Sequence, residues 1–112
     1  MQIENKKADQ VLVVIPVEKR IDASSAVDFK GKMIDWINEG NYRIALDLSH
    51  VDFIDSSGLG AIVSSLKALG NQGDLVICCV HEMVMSLFKL TRMDRVFKIY
   101  STQEEAIKAL AA

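Results

Sequence analysis

Two runs, Val11–Ile15 and Leu75–Val80, are apolar at every position, and Ile44–Leu48 is broken only by Asp47. Unbroken β-branched and aliphatic runs of this length read as strands covered on both faces. A polar start, Gln2–Lys6, predicts an edge strand, and Ala8-Asp9-Gln10 a turn into the first buried run. Pro16 lacks an N–H and should end pairing there, which leaves Val17–Asp22 as a loop. Between the strands the apolar spacing changes. Val27, Met33, Ile34 and Ile37 recur near helical spacing over Ala26–Glu39, with Phe29 and Trp36 close by, and Gly40 stands where a helix C-terminal glycine belongs. A second helix runs from Ser57 to Leu69, with Gly70 and Gly73 at its exit. In Glu82–Leu90 a shorter helix places Met83, Leu87 and Leu90 three and four residues apart. Val96–Tyr100 predicts a last short strand. Ser101 and Thr102 cap a final helix that has Glu104 and Glu105 in its first turn and Ile107 and Leu110 on its apolar side. Strands alternating with helices define an α/β chain: a parallel or mixed sheet of four to five strands covered by about four helices.

With 112 residues, half of them apolar, residues 1–112 make one domain with a sizeable core. A net charge of −2 with interspersed signs leaves no electrostatic footprint for nucleic acid or an anionic membrane, so a protein partner or a small ligand is expected. No apolar run approaches the roughly 20 residues of a membrane span, and Met1–Lys7 lacks a signal-peptide core. The expected location is the cytoplasm. Cys78 and Cys79 adjoin in a predicted strand, where their side chains should point to opposite faces and remain reduced core thiols. Together with His50 and His81 they match no metal-ligand spacing, so no metal or other cofactor is expected. Met83, Met85 and Met93 read as gap-filling core residues, with Met93 near the surface in the turn-like Thr91–Asp94.

The most informative stretch is Ile54-Asp55-Ser56-Ser57-Gly58-Leu59-Gly60-Ala61, a loop that leaves a strand region and enters a helix. Asp55, Ser56 and Ser57 are all N-capping types, and Gly58 and Gly60 permit close backbone approach. The helix N-terminus favours an anion here, yet the octapeptide carries no Lys or Arg to hold one permanently. That combination suits a serine that is phosphorylated and dephosphorylated. Asp22-Ala23-Ser24-Ser25 supplies a second set of capping residues, with Asp22 as the expected cap of the first long helix. Enzyme motifs fit poorly. A serine-hydrolase elbow would need glycine on both sides of Ser56, where Ile54 and Gly58 stand, and a dinucleotide fingerprint would need glycine at Val63.

The loop Asp55–Gly60, preceded by Phe53-Ile54, resembles the phosphorylation loop of STAS domains. The chain resembles, more narrowly, the bacterial anti-sigma factor antagonists. The likeness takes in Arg20-Ile21-Asp22 before the first helix, Ile44–Leu48 leading to Phe53–Gly60, and Cys78-Cys79-Val80 before Leu87-Phe88. It implies a non-catalytic, monomeric binding domain. Ser56 would be the phosphorylation site, and Asp22, Asp55, Ser57, Gly58, Leu59 and Gly60 would contact the partner. That partner would be a kinase-fold anti-sigma factor, which releases its sigma factor on binding and phosphorylates the serine, with a PP2C-type phosphatase removing the phosphate. Lys19 stands where such chains often have glycine, and bears on partner identity. The same resemblance also fits a module of another assembly, stressosome-like, secretion-control or transporter-associated.

Overall fold

A computed structural model describes residues 1–111. The chain opens as a hairpin of β1 (Ile3–Ala8) and β2 (Val11–Pro16), paired from Ala8 with Val11 to Ile3 with Pro16. Only Asp9 and Gln10 form the turn. Both have positive φ, 51° and 66°, the conformation that matches a two-residue turn to the twist of its strands. There follow β3 (Arg20–Ile21), α1 (Ala26–Asn38), β4 (Arg43–Asp47), β5 (Phe53–Ile54), α2 (Ser56–Leu69), β6 (Asp74–Cys78), α3 (Glu82–Leu90), β7 (Ile99–Tyr100) and α4 (Gln103–Ala111). The main sheet runs β1-β2-β4-β6-β7, with β1 and β2 antiparallel and every other neighbour parallel. Five strands and four helices agree with the architecture expected from the sequence. Among the described residues no helix is long and apolar enough to cross a membrane.

The unbroken apolar runs are explained by cover on both faces of the sheet. Leu12, Val14, Ile44, Leu46, Leu75 and Ile77 share a core with Phe29, Met33 and Ile37 of α1, Leu59 and Ile62 of α2, and Val84 and Phe88 of α3. The alternate positions Val11, Val13, Ala45, Val76 and Cys78 face Ala106 and Leu110 of α4. One face therefore supports three helices and the other a single helix, over smaller side chains.

Several elements differ from the sequence expectation. Val17–Asp22 is not wholly loop: Arg20–Ile21 pairs in parallel with Phe53–Ile54 as a separate two-stranded sheet, too short to show a period. Leu75–Val80 stops as a strand at Cys78, and Val96–Tyr100 narrows to Ile99–Tyr100 after a 3-10 turn over Met93–Arg95. In α1, Val27 faces solvent while Ala26 is buried. In α3 the stripe Met83, Leu87 and Leu90 is not the buried one, and only Leu87 of the three packs partly against the core. Met83 and Leu90 are 72% and 83% exposed, whereas Val84 and Phe88 are buried, Phe88 meeting Phe97 edge-on at 6.3 Å. Two apolar stripes at the same spacing lie on α3, and only the sheet beneath decides between them. Met83 is thus a surface residue, and Met85 and Met93 are half-buried. The capping expected at the last helix is present, with Thr102 and Glu105 exchanging side-chain bonds to each other's N–H at 3.1 Å.

This choice of face has a measurable consequence. Phe88→Ala is expected to cost about 3–5 kcal/mol in urea unfolding, and Met83→Ala or Leu90→Ala less than about 0.5 kcal/mol.

Candidate functional site

The loop and helix start around Ser56 are held by one carboxylate. Asp55 is extended (φ −96°, ψ −176°), and its backbone carbonyl accepts the first helical bond of α2, from Leu59 N–H at 2.9 Å. Its Oδ1 accepts from Gly58 N–H at 2.9 Å, which satisfies one of the unpaired amides at the helix start. Its Oδ2 accepts from Ala23 N–H at 3.2 Å, across to the loop before α1. A single side chain thereby caps α2 and fastens a second loop to it.

Beneath the carboxylate, β3 and β5 bring the two loops close. Asp55 N–H donates to the Ile21 carbonyl at 3.3 Å, and the N–H groups of Asp52 and Phe53 both donate to the Lys19 carbonyl, at 2.9 and 3.1 Å. Lys19 contributes backbone here, and its side chain is exposed. Gly58 lies against the same strand: a Cβ at this position would stand 2.2 Å from the Ile21 carbonyl oxygen. Glycine is therefore a steric requirement. A Cβ at Gly60 would meet nothing within 4 Å among the described residues, so its lack of a side chain answers no contact there. The Arg20 guanidinium lies 4.1 Å from the centre of the Phe53 ring and 3.4 Å from Asp22, a pair exposed enough to be strongly screened.

Asp22 acts one turn earlier than the sequence predicts. Its Oδ1 accepts from Ser24 N–H at 3.0 Å and from the Ser24 hydroxyl at 2.6 Å, and its carbonyl accepts from Ala26 N–H at 2.8 Å. It caps a single turn that leads into α1, whose own N-cap, Ser25, makes no side-chain cap bond. The Ser24 hydroxyl and N–H, with Arg20 beside them, hold the Asp22 carboxyl below its ordinary range.

The six residues expected at the contact loop separate into two groups. Asp55 and Asp22 are half-buried, and Ser57 and Gly60 are exposed, alongside the exposed Ser56. Gly58 and Leu59 are buried and support the loop from below. Ser57 is not a cap, because Asp55 takes that role. Among the described residues neither the Ser56 nor the Ser57 hydroxyl makes a hydrogen bond, so no base is aligned on Ser56. His81 Nε2 instead lies against the Ser49 carbonyl. The sequence offered no sign of the Asp55–Ala23 bond or of the β3–β5 bridge, since both join segments about 32 positions apart.

At the C-terminal ends of β4 and β6 the expected opposite facing of the cysteines fails, although both are free thiols and Cys78 is buried in the core. Cys79 has φ 61°, which breaks the alternation of a strand, and both sulphurs and an Asp47 carboxylate oxygen lie within 4.8 Å of one another. Burial pushes both thiols above their ordinary range, Cys78 the further. Asp47 is buried, and accepts from Ser49 N–H at 2.8 Å and Gln103 Nε2 at 2.7 Å.

The structure thus joins a capped helix start, with an exposed serine as its first residue, to a second loop over a small parallel bridge. Residues 2–106 match the family model of the STAS domain, and the chain belongs to that family. It is 36% identical over 105 residues to a Thermotoga maritima protein provisionally named an anti-sigma factor antagonist, a match covering 92% of each chain. A crystal structure of a Thermotoga maritima protein under that provisional name superposes with a TM-score of 0.92 at 33% identity, covering 98% of this chain and 95% of the other. The anti-sigma-B factor antagonist of Listeria monocytogenes is 28% identical over 106 residues, covering 94% of this chain and 93% of its own.

The two glycines give opposite expectations. Gly58→Ala should lose about 3 kcal/mol of stability, because backbone must move to admit the methyl group. Gly60→Ala should be neutral or gain up to about 1 kcal/mol. Asp55→Ala should lose about 1–2 kcal/mol with the cap. Urea unfolding at constant pH measures all three.

Proposed function

We propose that this chain is an anti-sigma factor antagonist whose grip on a kinase-fold anti-sigma factor is released by phosphorylation of Ser56 and restored by a PP2C-type phosphatase. The observation that carries the reading is the state of Ser56: exposed, without a hydrogen-bond partner, and first in α2 beside a carboxylate already committed to two amides. The names of the relatives that match along nearly the whole chain support the same class of partner. The chain acts as a binding module and performs no chemistry of its own. Its docking surface is Ser56, Ser57 and Gly60 with the rims of Asp22 and Asp55, while Gly58 and Leu59 hold that surface in shape.

The switch works by local charge. A phosphoserine adds about −1.5 to −2 charges and three acceptor oxygens. The free domain tolerates them, since Ser56 and Ser57 precede the first helical bond and the helix start favours an anion. A partner that had docked a neutral hydroxyl must instead desolvate a dianion next to Asp55. The loss is on the order of 2–5 kcal/mol, a weakening of about thirtyfold to several thousandfold. No rearrangement of the fold is required.

The test is capture from the native cell extract by the wild type, Ser56→Ala and Ser56→Asp, with bound proteins identified by mass. Wild type and Ser56→Ala should retain a kinase-fold anti-sigma factor and Ser56→Asp should lose it. With ATP, that partner should add one phosphate to the wild type and none to Ser56→Ala. Equal capture by all three would remove Ser56 as the switch, and capture of a transporter or a large assembly in place of the anti-sigma factor would overturn the pathway.

A further inference from the structure

We propose that Asp47, Cys78 and Cys79 form a site for a thiophilic divalent cation of the zinc type, on the α4 side of the sheet and independent of Ser56. The left-handed backbone of Cys79 turns adjacent cysteines, which a continuing strand would part, into two sulphur donors on one side. With one carboxylate oxygen they make three ligand atoms within 4.8 Å of one another. Zinc bonded at about 2.3 Å to sulphur and about 2.0 Å to oxygen sets tetrahedral ligand atoms roughly 3.5 Å apart, so modest side-chain rotation closes the site.

Two further observations point to a cation. Asp47 is only 5% exposed, yet among the described residues no Lys, Arg or His pairs with it. Buried carboxylates are ordinarily paired with a cation or bound to a metal. Each Asp47 oxygen accepts one hydrogen bond, from Ser49 N–H or Gln103 Nε2, which fixes the carboxylate and leaves lone pairs for a metal, as outer partners do around known metal ligands. Cys78 is fully buried while Cys79 is half-exposed, so an ion enters past Cys79 and keeps a fourth position for water. Three protein donors and one open position form a recognised zinc arrangement.

Cadmium is the spectroscopic probe, added to the full chain after reduction and removal of metal by a chelator. One equivalent should raise an ultraviolet sulphur-to-cadmium charge-transfer band that saturates at one ion per chain, and zinc should abolish it by competition. Cys79→Ser should remove most of the band, and Asp47→Asn should weaken zinc binding at least tenfold in competition with a chromophoric chelator. His50→Ala should change neither. Circular dichroism of each metal-free variant establishes that it is folded, and Cys79→Ala serves if Cys79→Ser is not. No band at one equivalent, a band that survives loss of the Cys79 sulphur, or unchanged zinc affinity in Asp47→Asn would overturn the site.

Discussion

The arrangement at the candidate site depends on the Asp55 carboxylate. One oxygen holds the amide of Gly58 and the other the amide of Ala23, so the start of α2 and the approach to α1 are fixed by the same group. Its position is in turn set by backbone: the β3–β5 bridge brings Ile21 to Asp55, and the absence of a side chain at Gly58 lets α2 lie directly on that strand. The exposed Ser56 thus stands on a base made almost wholly of main chain.

The division of labour between buried and exposed loop residues follows from the same base. Gly58 and Leu59 face inward because the first turn of α2 must meet the core, and Ser56, Ser57 and Gly60 face outward by helical geometry alone. A resemblance in sequence treats the six positions alike. The structure separates those that shape the loop from those that can be touched.

What was legible in the sequence was whatever has a period or a local cap. The strands Val11–Ile15 and Ile44–Leu48, the helix from the Asp55 region to Leu69, and the Thr102 cap all announce themselves within a few residues. Asp55 was legible as a capping type for the same reason. Hidden were the features set by distant partners. Two apolar stripes on α3 were indistinguishable until Phe97 claimed Phe88, and Arg20–Ile21 becomes a strand only because Phe53–Ile54 lies beside it. The facing of the cysteines was misjudged because strand alternation was extended one residue too far, past the point where Cys79 turns left-handed. Asp22 was placed at the right loop and the wrong turn, since three of the four residues Asp22–Ser25 each offer a plausible cap.

The edges of the main sheet limit how the protein can associate. At one side β7 has two residues, and at the other β1 turns Glu4, Asn5, Lys6 and Lys7 to solvent. A short strand and a charged one are poor templates for a foreign strand. Association is thereby directed away from backbone annealing and toward contacts made by side chains.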